Sequence, residues 1–527
     1  MAHADVAFLE RPVCHVPQQV ALGEGNLWLT ALMTARTVWV FGDQLNRTLG
    51  ALSSASQGDT ILMIESAEHL GRRPWHRQRA HLIVASIRRL AAELRTEGLD
   101  VDYRRAPSYE VGLSLHRAER HPDRVVAMAP SSHGGRALLA RLGVELVPDE
   151  RFLTDPSQFA ELFDGKARLT METFYRWQRR RLGYLMDGDE PVTGRWNYDH
   201  DNRQRLPKGG VEFPEPIVDP LDPLDAAVLE DLPGTAVGAV PIGLWPTSRG
   251  AALARLRHAI DEVLPGFGPY EDAMATTSWH LAHTLLSPAL NLGLLHPTEV
   301  ADAVDEAWRS GRVPIASAEG LLRQVIGWRE FVWCLYGHEG PTYIDRNELD
   351  AHRPLPPAFT TGRTEMNCLS HVLADIDAYG WTHHIPRLMV LGNLALLAGV
   401  EPRALLEWME ERFVDAAEWV MVPNVIGMAL YADGGRMATK PYAAGGAYID
   451  RMSDFCSGCR YDRKQRTGER ACPFTTLYWD FLARHGDRLA GNHRMSRQAA
   501  AARSLSDLPE VRSRAAIVLE RLDQGNL

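Results

Sequence analysis

The chain changes its hydrophobic period once. Up to about residue 150, short apolar or β-branched runs alternate with helical patterns; beyond Thr247 only helical spacing remains. Alternating strands and helices build a parallel sheet with crossover helices, and a later run of helices alone forms a separate all-α body. The apolar runs lie at 37–42, 60–65, 101–104, 125–129 and 144–147. A helical pattern spans 76–97, with Gly98 as a natural stop. Such Rossmann-like sheets bind ligands outside the carboxyl ends of their strands. Asp43 and Gln44 close the first run at that kind of place, but no G-x-G-x-x-G follows it, which argues against an ordinary dinucleotide fingerprint.

A length of 527 residues suggests two or three domains. Proline and charge rise between 149 and 248, and the proline-rich stretch 211–246 reads as a long surface connection. The expected organisation is an extension at 1–32, an α/β domain at 33–150, a linker at 151–247, a helical domain at 248–515 and a tail at 516–527.

A formal charge of -10 argues against indiscriminate coating of nucleic acid, though not against a local basic groove. No apolar run approaches the roughly 20 residues of a membrane helix. Residues 20–33 lack a basic start and a cleavage site, so a cytoplasmic protein is expected. Six cysteines are too few for a disulfide scaffold in a chain this long.

Four of those cysteines form a pattern. Cys456 and Cys459 are a C-x2-C pair, Cys472 follows with Pro473 directly after it, and Cys368 lies far upstream. A C-x2-C turn supplies two soft donors with a common bite. All-sulfur ligation admits zinc or an iron–sulfur cluster, and the distant cysteine with Cys-Pro tips the balance to iron–sulfur. Cys14 and Cys334 fall outside the pattern.

FCSGCRYD at 455–462, ACPFTTLYWD at 471–480, MNCL at 366–369 and THHI at 382–385 resemble the iron–sulfur bacterial cryptochromes and photolyases, the prokaryotic (6-4) photolyases. The likeness runs in order from about residue 37 to 484. It implies the photolyase/cryptochrome architecture: an α/β antenna domain, an interdomain loop and a helical flavin domain. It also implies FAD, a 4Fe-4S cluster on Cys368, Cys456, Cys459 and Cys472, and a 6,7-dimethyl-8-ribityllumazine antenna.

Further residues follow from the resemblance. WREF at 328–331 is similar to a superfamily motif, and LSPAL at 286–290 to the helix start that contacts the flavin phosphate. Ser287 before Pro288 is also an ordinary capping pair; helix N-termini bind phosphates, so both readings hold together. Arg387 and Asp415 match an ion pair beside the flavin ring, and Asn424, Gly427 and DGG at 433–435 match lining positions. Three positions depart. Met421 stands where the family commonly has Glu facing flavin N5, Met409 where an aromatic is expected, and Thr360 where Trp is expected. Methionine cannot donate a proton. Trp408 is retained, but two aromatics of the family's usual relay are lost, so flavin photoreduction is expected to be slow or to run through Trp419, Tyr442 or Tyr448.

His384 first, then His383, match the histidines that assist proton transfer in repair of the (6-4) lesion. FYRWQRRR at 174–181 interleaves aromatics with arginines, which suits a face for UV-damaged DNA; WN at 196–197 and NR at 202–203 also resemble the family pattern. Asp43, Gln44, Glu65 and His76 match positions around the antenna. The expected function is electron transfer from reduced FAD to a (6-4) photoproduct by a monomer. The alternative is a blue-light photoreceptor of the same fold. A third, more distant reading is a cluster-bearing nucleic-acid-binding protein without photochemistry.

Overall fold

Five strands form where the alternation predicts them: β1 (Arg36–Trp39), β2 (Thr60–Ser66), β3 (Asp100–Ala106), β4 (Arg124–Met128) and β5 (Glu145–Val147). They make one parallel sheet in the order β3-β2-β1-β4-β5. Val38 and Val40 pack on one face and Trp39 on the other, as the two-residue period of a strand requires. Covering both faces is what makes β1, β2 and β4 largely apolar, whereas the edge strands β3 and β5 are polar or exposed at most positions. The strand order reverses between β1 and β4, which opens a crevice beyond the end of β1, where Asp43 and Gln44 follow.

This computed structural model describes residues 35–164, 170–207 and 209–527, and 35–527 form one unit. The expected extension at 1–32, with Cys14, lies outside the described residues. The expected linker holds ordered structure of its own, in helices Pro156–Phe163, Met171–Leu182 and Pro223–Asp231. Pro223–Asp231 is pinned to helix Arg77–Thr96 by Asp225, which receives hydrogen bonds from His81 at 3.0 Å and Arg89 at 2.7 Å. A stretch that looks like a surface connection is therefore anchored by buried charge.

Beyond residue 248 the described residues carry helices and irregular turns with no strand. The final helix, Leu508–Asp523, packs on Pro473–Arg484. The tail expected from residue 516 is thus the second half of this helix, with Val518 and Leu522 buried. Four π-helical segments, Ala259–Val263, Arg323–Trp328, Pro386–Gly392 and Pro423–Ala429, interrupt the α-helices among the described residues. Such widened turns concentrate at functional sites, and two of them carry Arg387, Asn424 and Gly427. Among the described residues no helix is long and apolar enough to cross a membrane.

Candidate functional site

Pro386 at the start of its π-helical segment fixes the chain direction just after the histidine pair. Arg387 then reaches Asp415 with both terminal nitrogens, each at 3.0 Å, and its Nε donates to the Thr382 carbonyl at 2.7 Å. Ser287 donates its hydroxyl to Asp415 at 2.7 Å, and Asn291 donates to the Asp415 carbonyl at 2.7 Å. Ser287 therefore does not cap: it is the first residue of helix Ser287–Asn291, and its oxygen serves the carboxylate. Phe413 and Trp381 present their faces to the Arg387 guanidinium at 4.1 and 5.8 Å. Met421 is buried, and Asn424 donates its amide to the Val420 carbonyl at 2.8 Å.

The histidine pair splits into unlike members. His383 is buried: its Nδ1 accepts from the Ile385 N–H at 3.4 Å, and its Nε2 has no partner among the described residues. His384 is exposed, and its Nε2 lies 3.3 Å from Asp272. Arg203 holds the other oxygen of Asp272 at 3.4 Å. Desolvation opposes a charged His384, but the hydrogen bond and charge of Asp272, with Glu271 behind, outweigh it and raise its pKa. Burial drives His383 the other way, so it stays neutral. A third ring, His283, stacks on His383 with centroids 4.3 Å apart; burial also keeps it neutral. Glu271 accepts from Gln324 at 2.7 Å and Asn202 at 3.3 Å, and burial pushes its carboxyl up to about 7.

His283, Glu271 and Asp272 were not found by sequence reasoning. No motif marks them, because they reach the histidine pair only through the packing of distant segments. Tyr442 and Tyr448 come to this same side, within electrostatic reach of Asp272 and Arg203. Trp408 is buried and donates its indole N–H to the Phe359 carbonyl at 2.9 Å. Thr360, next in the chain, is exposed, whereas Met409 and Trp419 are buried.

The arginine-rich segment divides by helix face. On Met171–Leu182, Phe174, Tyr175 and Arg179 are buried, and Arg179 caps the carbonyls of Tyr184, Leu185 and Trp196. The Trp196 ring lies under Arg176, Arg179 and Arg180 at 5.6, 5.3 and 4.5 Å. Only Arg176, Arg180 and Arg181 of this segment offer cationic surface.

The four patterned cysteines converge from three segments. Cys368 lies in the first turn of helix Asn367–Tyr379, Cys456 and Cys459 follow helix Gly446–Met452, and Cys472 stands just before Pro473–Arg484. Asn367 ties the first segment to the second by donating to the Phe455 carbonyl at 2.8 Å. Gly446 must lack a side chain, since a Cβ there would sit 2.8 Å from the Cys472 sulfur. Burial, then repulsion among the four thiols, raises Cys368 well above its usual value; burial and its neighbours push Cys456 up to about 12. A cationic centre would relieve that repulsion. Cys334 is buried and free.

The polar groups expected around the sheet are largely committed within the protein. Gln44 donates to the Met128 carbonyl at 2.9 Å, and Glu65 takes a bidentate pair from Arg88 at 2.7 and 3.0 Å. His76 caps helix Arg77–Thr96 through Nδ1, and its Nε2 donates to the Asp377 carbonyl at 3.0 Å. Burial lowers His76 to about 4. Asp43 remains partly open in the crevice, paired to the buried Arg151 at 2.6 Å.

The family of deoxyribodipyrimidine photo-lyase-related proteins matches residues 38–236. Over 520 residues the chain is 39% identical to a (6-4) photolyase of Agrobacterium fabrum, spanning 93% of this chain and 100% of that one. The chain belongs to this photolyase-related family. An uncharacterized protein of Acanthamoeba polyphaga mimivirus is 30% identical over 103 residues, covering 20% of this chain and 76% of that one. The fold is shared with a bacterial class III photolyase from Agrobacterium tumefaciens, with a TM-score of 0.57 at 18% identity over 95% of this chain and 100% of that one. Membership of the photolyase-related family implies a flavin. Arg387 and Ser287 converge on the Asp415 carboxylate, with the aromatic faces of Phe413 and Trp381 beside the guanidinium, a polar and aromatic lining carried partly on π-helical backbone.

Proposed function

We propose that this chain is a light-driven DNA-repair flavoprotein that reverses (6-4) pyrimidine photoproducts. One observation carries the reading: an exposed His384 held by Asp272, just upstream of the Arg387–Asp415 pair. Bound FAD supplies the light-driven electron. Ser287, Arg387, Asp415 and Asn424 would hold it, with Met421 against the ring. Arg387 keeps a positive charge there, which favours a negatively charged reduced ligand. His384 holds a proton that Asp272 keeps in place and delivers it to the lesion. His383, neutral and buried, orients His384 from behind. Extruding the lesion costs a few kcal/mol. Phosphate contacts from Arg176, Arg180 and Arg181 offset it, with Trp196 stiffening the arginines.

Cys368, Cys456, Cys459 and Cys472 would hold a 4Fe-4S cluster that joins three segments of the helical body. Among the described residues, the ligand sets gathered within 4.8 Å comprise three histidines and no cysteines. One zinc ion would need its sulfurs about 3.8 Å apart, so the wider spacing favours a cluster. A lumazine antenna would lie in the crevice between β1 and β4 beside Asp43, and the working protein is a cytoplasmic monomer. Exposed Thr360 and buried Met409 and Met421 favour the second reading, a photoreceptor with little repair. The deciding experiment illuminates a (6-4)-containing oligonucleotide with chemically reduced protein. Recovered pyrimidines establish repair; lesion binding by the reduced protein without recovery favours the receptor.

A further inference from the structure

His283, His383 and His384 come from two chain segments, yet one ring nitrogen of each lies within 4.8 Å of the others. The rings of His283 and His383 stack at 4.3 Å, and His384 stands edge-on to both at 5.7 Å. Nε2 of His283 and Nε2 of His383 are both buried without a hydrogen-bond partner among the described residues. Buried polar atoms left unpaired are rare and call for an explanation.

The outward-facing bonds of His283 and His384 resemble those of a ligand set. Metal-bound histidines donate their second ring N–H to a carboxylate or a backbone carbonyl, which fixes tautomer and orientation. His384 meets Asp272 through Nε2, which leaves Nδ1 as its ligating nitrogen. His283 is hydrogen-bonded to the Glu271 carbonyl, so its unpartnered Nε2 carries the lone pair. His383 contributes an unpartnered Nε2 once its long 3.4 Å contact to the Ile385 N–H gives way. Nearby cations are already matched: Arg387 by Asp415 and Arg203 by Asp199 and Asp272.

We propose that His283, His383 and His384 form a binding site for a borderline transition-metal ion, Zn2+ or Cu2+, with Asp272 and the Glu271 carbonyl as its outer support. Imidazole nitrogens select such ions over Mg2+, which takes oxygen. Zinc–nitrogen bonds of about 2.0–2.1 Å require ligand nitrogens roughly 3.4 Å apart. The stacked pair must therefore swing inward by about an ångström, a side-chain movement that leaves the backbone in place. Three protein ligands leave a fourth position open on the exposed side of His384.

Binding does not rest on the photolyase reading, but one consequence does: an ion here occupies His384 and withdraws the proton donor, so zinc slows repair.

The test is zinc titration of the purified holoprotein against a chromophoric chelator, with iron and flavin content as controls of folding. One zinc per chain is expected. His283→Gln should weaken it at least tenfold, and Asp272→Asn by about tenfold through the lost outer support. Equal zinc affinity in wild type and both variants would overturn the site. Repair is then measured with and without zinc in each protein. Slowing in wild type that is relieved in His283→Gln supports the consequence; zinc bound through the histidines with repair unslowed overturns it. Absence of repair even without zinc is a failure of the photolyase reading, and the titration decides the site regardless.

Discussion

Asp272 approaches the Nε2 of His384 to 3.3 Å, and the same carboxylate is held from its other side by Arg203 at 3.4 Å. A carboxylate fixed on both sides stabilises an imidazolium more than a mobile one, because little reorganisation is needed when the ring charges.

Asp272→Asn should therefore lower the pKa of His384. The folded-state value is raised, so stability from this contact is present below the unfolded value near 6.5 and is lost as pH rises through the folded value. Repair should follow the same limb, falling as His384 deprotonates. In the variant that fall should move to lower pH. A pH–rate profile and an NMR titration of the ring check it; an unmoved midpoint in both contradicts the pairing.

Asp415→Ala removes the partner of a largely buried guanidinium. Breaking a buried pair is worth about 3–5 kcal/mol, and the partial exposure of Arg387 points to the lower end. Denaturant unfolding should show a loss of about 3 kcal/mol, and flavin content should fall with it. Full flavin retention would mean that Arg387 acts elsewhere.

Arg179 and Arg180 are neighbours with opposite roles. Arg180→Ala should leave stability within about 0.5 kcal/mol while reducing the salt slope of DNA binding by about 1. Arg179→Ala should leave three carbonyls without a donor and cost about 2 kcal/mol or more. Salt-dependent binding curves and thermal melts distinguish the two. Equal behaviour of both variants would show that the helix face is wrongly assigned.

Thr360→Trp puts an indole on the surface beside Phe359, whose carbonyl holds Trp408. If the aromatic route is interrupted at this position, blue-light reduction of the oxidised holoprotein by a thiol should speed up. Combining it with Met409→Tyr should speed it further. Fast reduction in the unmodified protein, abolished by Trp408→Phe alone, would show that the route is intact.

The chain's periodicity disclosed a great deal because strands and helices impose periods of 2 and 3.6 on whatever they bury. All five strands were legible at 37–147, as was the helical remainder. Within the expected linker, prolines and charges hid helix Pro223–Asp231, which is held by Asp222, Asp225 and Asp231 on Arg88 and Arg89 and by buried Val228, contacts between distant segments that no local pattern marks. The tail was misjudged because Leu508–Asp523 keeps its apolar stripe beyond residue 515.

The cysteine set was visible in sequence because a C-x2-C turn is a local device and its donors are chemically distinctive. His383 and His384 were visible through resemblance, but their division of labour was not. Adjacent residues near a helix start point in different directions, and only packing decided that His383 is buried against His283 while His384 reaches Asp272. The sequence by itself determined the layers, the strand positions and the grouping of four cysteines, since each follows from local period or local chemistry. The resemblance implied the pair of Arg387 with Asp415; tertiary structure alone decided the other meetings of charge, Asp272 with His384 and Asp225 with His81 and Arg89. Those pairings join residues distant in the chain, and the desolvation that gives them their strength exists only once the body has closed around them.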